Sequence, residues 1–368
     1  MTSKLFSPIQ LRGLTLANRI VVSPMGQYNS DNGSANDWHL MHLGQFSLGG
    51  AAMVMTEVSA VNPIGRVSHR CAGLWSDDNE AALKRVIGFC KQYGVAAQGI
   101  QLGHSGRKGS TKTIAEGGAP LMPDNGGWQT VAPSPIPFAE GWQIPHELTP
   151  AEMAGIRDDF VAAVKRADRT GYDLIELHAG HGYLLHQFMS PLSNQRTDQY
   201  GGSLEKRVRF PLEVFEAMRA AWPADKPMGI RVSATDWIDG GWDVESTIVL
   251  AHRLKELNCD YIDVSSGALD LRQKIPIGPA YQVPFAAKVR AATGLPTMTV
   301  GLITDAKQAE EIIASGKADM VALARGAMWN PRWAWHAAEE LGAEAVYAPK
   351  IMACHPKLRP SVFPRYQS

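Results

Sequence analysis

Residues 149–183 read TPAEMAGIRDDFVAAVKRADRTGYDLIELHAGHGY, and they hold one complete structural repeat. Thr149-Pro150-Ala151-Glu152 is a capping box with proline at the first helical position, so the orphan amides of a helix start are satisfied locally. Met153, Ile156, Phe160, Val164 and Ala167 then recur at helical spacing, which predicts an apolar stripe facing a core. Gly171 suits the left-handed residue that ends such a helix. Leu174 to His178 follows as an apolar run of strand length.

The same order of helix, glycine and strand returns at Gly294 and Gly316. Counting outward gives eight strand-like runs: Ile20 to Pro24, Met53 to Val58, Ala96 to Leu102, Leu174 to His178, Met228 to Val232, Tyr261 to Ser265, Pro296 to Val300 and Met320 to Ala324. Amphipathic helical stretches separate them, as parallel sheets require. Eight repeats without a break in composition predict a closed (β/α)8, or TIM, barrel in one domain spanning 1–368. An open dinucleotide-binding sheet is disfavoured, because no GxGxxG follows the first strand. Leu5 to Leu16 is too short for a helical unit and is expected to form a hairpin, within 1–17, closing the bottom of the barrel. The stretch 103–147 is rich in Gly, Pro and Ser and interrupts the repeat after the third strand, so a lid or binding loop is expected there. Residues 345–368 form a tail.

Of 368 residues, 45% are hydrophobic, and 36 basic side chains balance 36 acidic ones. A large core follows, and no net positive field steers nucleic acid or anionic membranes to the surface. Cys71, Cys90, Cys259 and Cys354 form no CxxC pair and read as reduced thiols. No signal-peptide pattern and no run of about 18 apolar residues occurs, which points to a cytoplasmic protein off the membrane.

In such barrels the chemistry gathers at the C-terminal ends of the strands. After the fourth strand, His178, His181 and Tyr183 stand on one loop: imidazole N–H groups can hold an oxygen that gains charge, and a phenol can deliver a proton. A zinc-binding His-x-x-His and a purely structural pair are the alternatives; the first lacks a further ligand at matching spacing. Gln101 ends the third strand and Arg231 lies in the fifth, donors that are costly to bury without a polar partner. A flavin pyrimidine edge is one such partner; a salt bridge to a strand-end carboxylate such as Glu176 is the other. Val300-Gly301-Leu302 and Ala324-Arg325-Gly326 follow the last two strands, where barrels bind phosphate. The first strand exits into Ser23-Pro24-Met25-Gly26-Gln27-Tyr28, whose Pro and Gly let a flat ligand approach, although Met25 also suits a core.

Ser190 to Ser203, Gly73 to Asp77, Ile100 to Lys108, Asn18-Arg19 and Val300 to Ile303 together resemble the signatures of the old yellow enzymes, flavin-dependent ene reductases, and of their bacterial subgroup that includes xenobiotic reductase A. The resemblance spans nearly the whole chain. It implies non-covalent FMN held by Pro24, Met25, Ala60, Gln101 and Arg231, with Gly301, Ala324 and Arg325 around the phosphate and Ser23, Gly26 and Val300 beside them. It implies that His178 and His181 grip a substrate carbonyl or nitro oxygen, that Tyr183 donates a proton, and that Tyr28 is a second substrate-side phenol. NADPH, or NADH, would be the reductant in a ping-pong cycle. A C-terminal Arg365 would reach a neighbouring active site in a homodimer or homotetramer. Two residues depart from the pattern: Gly26 stands where the subgroup carries cysteine, and Ala324 where glycine is common. A phosphate-binding lyase or aldolase is the rival enzyme class and needs a catalytic lysine, for which Lys108 is nearest; a non-catalytic flavin-binding protein would have no use for Tyr183. Trp128 and Trp142 are expected to shape the pocket, and Arg66, Arg70, Arg107 and Lys108 could meet a 2′-phosphate.

Overall fold

The computed structural model describes residues 3–356 and 358. Its centre is a closed barrel of eight parallel strands. They are β1 (Ile20–Val22), β2 (Met53–Ala60), β3 (Ala97–Gly103), β4 (Leu174–Ala179), β5 (Met228–Ser233), β6 (Tyr261–Ser265), β7 (Thr297–Thr299) and β8 (Met320–Leu323). All eight expected runs are strands. Closure comes from β8 against β1, with Leu323 level with Val22.

Each strand returns through a helix whose apolar stripe covers the barrel wall. The helix Pro150–Thr170 shows how the sequence sets its own bounds: Thr149 and Glu152 form the reciprocal cap, and Gly171 ends it at φ 96°. Met153, Ile156, Phe160, Val164 and Ala167 are all buried, each larger side chain contributing about 1.5–3 kcal/mol of transfer free energy.

The N-terminal end of the barrel is plugged. Strands Ile9–Leu11 and Leu14–Leu16 pair antiparallel, and Leu11 and Leu16 enter one apolar cluster with Met53, Met55, Met298 and Met320. The turn between them needs Gly13, because a Cβ there would stand 2.6 Å from the carbonyl oxygen of Asp225. Between β3 and the helix at Pro150 the chain forms only short 3-10 turns and a two-residue pairing of Val131–Ala132 with His146–Glu147. Among the described residues no helix is long and apolar enough to cross a membrane.

Candidate active site

Strand register places a polar layer inside the upper barrel. Gln101 on β3 lies level with Glu176 on β4, and Arg231 on β5 level with Asp263 on β6. Gln101 Nε2 donates to Glu176 Oε1 at 2.7 Å, and Arg231 Nε pairs with Asp263 Oδ2 at 3.0 Å. Arg231 therefore takes Asp263, not Glu176, as its carboxylate: Glu176 is level with Gly229, two residues away along β5. Burial, with repulsion from Asp263, pushes the Glu176 carboxyl up to about 8. Burial also raises Asp263, opposed by Arg231. One guanidinium thus compensates a layer in which a lone carboxylate would be intolerable. Its Nη1 donates to Ser23 Oγ at 3.1 Å.

Above this layer lie two cavities of about 170 Å³ each, and Arg231 lines both. The first is bounded by Ser23, Val300, Gly301, Ala324 and Arg325, with Tyr281 and Gln282. Gly301 has φ 112°, and a Cβ on it would stand 2.8 Å from Gln282 Nε2, so only glycine leaves this wall open. The Gln282 carbonyl accepts from Ser265 Oγ and Ser266 Oγ at 3.2 and 2.7 Å, which turns its amide nitrogen away from both hydroxyls. Arg325 is exposed and has no carboxylate partner among the described residues. A cation without a protein counter-ion, next to a glycine-opened wall, fits a phosphate.

The second cavity is bounded by Pro24, Gly26, Tyr28, Gln101, His178, His181 and Tyr183, and by Glu57, Val67 and Cys71. His178 and Tyr183 meet edge to face with ring centres 4.9 Å apart. His181 Nδ1 lies 3.3 Å from His178 Nε2, and His181 Nε2 lies 2.8 Å from Ser265 Oγ. His178 Nδ1 is buried with no protein partner. Burial first, then the charge of Arg231, holds both imidazoles far below their ordinary range, so they are neutral at pH 7. Burial raises the Tyr183 phenol, helped by Tyr28 and Cys71. Tyr28, with φ 51°, is pushed up to about 12 by burial, Cys71 and Glu57. Glu57 fixes the loop that carries it, accepting from the Gln27 amide at 2.8 Å and facing His39 Nε2 at 3.2 Å.

Most of the expected residues thus converge on one mouth. Met25 and Ala60 line neither cavity: Met25 is half-buried against the core, and Ala60 is buried with its amide donating to Ala72 at 2.9 Å. Arg365 lies outside the described residues. Neither expected tryptophan reaches the cavities. The Trp128 indole donates to the Ile64 carbonyl at 3.0 Å under the Arg66 guanidinium, and Trp142 packs on Phe138. Arg107 is buried and its guanidinium donates to three carbonyls, those of Ile136, Pro137 and Leu269, which removes it as a 2′-phosphate ligand. No lysine lines either cavity, which takes from the lyase reading the residue it needs. Glu57, Cys71 and Gln282 were missed because nothing in their local sequence marks them; only folding brings them to the mouth.

Comparison with known proteins agrees with this chemistry. A family model described as NADH:flavin oxidoreductase / NADH oxidase matches residues 4–344. An NADPH dehydrogenase of Geobacillus thermodenitrificans is 42% identical over 94% of this chain and 96% of its own. A protein called NADH:flavin oxidoreductase FG08077, from Gibberella zeae, is 41% identical over 95% of this chain and 89% of its own. Among solved structures, morphinone reductase superposes with a TM-score of 0.78 at 27% identity, covering 95% of this chain and 93% of that one. Morphinone reductase in complex with tetrahydroNAD gives 0.75 at 27% identity, covering 94% and 93%. Fold, site and relatives define a barrel oxidoreductase whose cofactors are a flavin and a nicotinamide nucleotide. The chain belongs to the NADH:flavin oxidoreductase / NADH oxidase family, the old yellow enzymes.

Proposed function

We propose that the protein is an ene reductase that uses NADPH or NADH to reduce the C=C bond of α,β-unsaturated carbonyl compounds, and also reduces nitro compounds or nitrate esters, in two alternating half-reactions. The observation that carries this is the cluster of neutral His178 and His181 with protonated Tyr183 on one wall of the second cavity. A neutral imidazole donates a hydrogen bond without protonating its partner, which is what a carbonyl or nitro oxygen gaining charge requires. The 3.3 Å contact between the two rings is long for a hydrogen bond, and a substrate oxygen would replace it. Tyr183, on the same wall of the cavity, would give its proton to the carbon next to the carbonyl. Bound FMN supplies the hydride. Arg231 and Gln101 would hold its pyrimidine edge non-covalently, and Arg325 with the Gly301 turn its phosphate.

The subgroup of xenobiotic reductase A, a cytoplasmic location and a homodimer or homotetramer with Arg365 completing a neighbouring site belong to the same reading, supported by the sequence signatures. Light scattering on the full chain tests the assembly, and a monomer rejects it.

An anaerobic visible spectrum decides the main point. NADPH should bleach the flavin and 2-cyclohexenone should restore its colour. In Tyr183→Phe the bleaching should be unchanged while recovery with the enone slows by roughly 10²–10⁴-fold, the usual contribution of a positioned acid. Recovery at the original rate would remove Tyr183 from the chemistry.

A further inference from the structure

Lys108 follows β3 in the turn Gly106–Lys108 and lines neither cavity. Its Nζ donates to the carbonyls of His181 and Ala268 at 2.9 and 2.8 Å. These residues belong to the loops after β4 and β6, and both have left-handed backbones, φ 54° and 69°. A side chain other than glycine stays in that region only where its surroundings hold it. The loops are in contact: a Cβ on Gly182 would stand 2.3 Å from the Ala268 carbonyl oxygen. One side chain therefore ties together two constrained turns, and one of them carries His181 and leads into Tyr183.

The same Nζ lies 5.6 Å from the centre of the Tyr183 ring and 4.8 Å from that of Phe138. Among the described residues no carboxylate pairs with it. A cation beside a phenol, without a counter-ion of its own, favours the phenolate.

We infer that Lys108 is a positioning residue for proton transfer, holding the His181 turn and steadying the negative charge left on Tyr183. The inference rests on Tyr183 being the donor. In that step hydride has reached the β-carbon, the α-carbon takes the proton as the Tyr183 O–H bond breaks, and the electron pair stays on the phenol oxygen until water reprotonates it. Burial and Arg107 bring the Lys108 ammonium down to about 7. The groups facing it are Arg107, the imidazoles of His178 and His181, and the rings of Tyr183 and Phe138. Both imidazoles are held neutral, so among the groups facing Tyr183 the charge that changes near neutrality is that of Lys108. Glu176, pushed up to about 8, belongs to the polar layer beneath and would titrate in Lys108→Met as well.

The test compares holoenzyme carrying Lys108→Met or Lys108→Arg, with 2-cyclohexenone and with ferricyanide as electron acceptor. Ferricyanide takes electrons and asks nothing of Tyr183. Lys108→Met should lower kcat with the enone about tenfold, or about 1.4 kcal/mol of barrier, while ferricyanide turnover stays the same. Lys108→Arg should keep most of the enone rate. In the unaltered enzyme the enone rate should fall as pH rises through about 7, and this limb should be missing from Lys108→Met. Tyr183→Phe with Lys108→Met should lose less than the product of the two single losses, since the charge effect of Lys108 acts through Tyr183. Equal losses with both acceptors, or an equal loss in Lys108→Arg and Lys108→Met, would overturn the inference. If Tyr183→Phe slows enone turnover and Lys108→Met does not, only this inference fails; if Tyr183→Phe is itself fully active, the donor assignment fails.

Discussion

The two ends of the barrel are filled with opposite materials. At the N-terminal end Met53, Met55, Met298 and Met320 pack with Leu11 and Leu16 of the hairpin. Toward the C-terminal end the neighbouring strands β3, β4, β5 and β6 bury Gln101, Glu176, Arg231 and Asp263. Thioethers fill irregular space without directional demands. Buried polar groups demand a partner at one distance and in one direction, and fail together when one is lost. The lower end can therefore tolerate many sequences that conserve volume, while the upper end is tied to its residues and to their strand register.

The contrast can be broken most directly at Arg231. Arg231→Met leaves Asp263 buried without its cation, and a loss of about 3–5 kcal/mol in unfolding free energy is expected, together with loss of bound flavin. The loss should grow as pH rises above the ordinary carboxylate range, because a buried Asp263 without Arg231 is tolerable only when protonated. Urea melts at two pH values and the flavin content of the purified protein measure both effects. Leu16→Ala comes next: a cavity in the plug should cost about 2–5 kcal/mol, with turnover per bound flavin unchanged. A changed turnover would show that the ends communicate. Gly26→Cys is the smallest and sharpens the upper end. A Cβ there would stand 3.4 Å from the Tyr28 ring, ordinary contact, and a weak thiol hydrogen bond should move the flavin potential by roughly 10–30 mV. Potentiometry reads it, and no shift means the position is inert.

What the sequence discloses follows the same division. Strands are apolar runs of set length, so all eight were legible, with differences only at their ends: β2 runs on to Ala60 past the expected Val58, and β7 stops at Thr299. Gln101, Arg231, His178 and Tyr183 were legible because polar groups at strand ends have no structural reason to be buried. The partner of Arg231 was not. Glu176 is the obvious carboxylate in sequence, yet the parallel register sets Asp263 beside Arg231, and register is a property of the closed barrel. Trp128 and Trp142 misled for a related reason: large aromatic side chains on a long loop read as pocket walls, whereas here they pack on Ile64, Arg66 and Phe138.

The seam between β8 and β1 has a consequence for how the molecule is made. Residues 20–22 find their last neighbour only in residues 321–323, about 300 residues later, and at about 5–20 residues per second a ribosome needs roughly 15–60 s to deliver it. Throughout that interval β1 carries an open edge, able to pair with any other nascent strand. Yield in the cell should therefore depend on what shields the first fifty residues during synthesis as much as on the stability of the finished barrel.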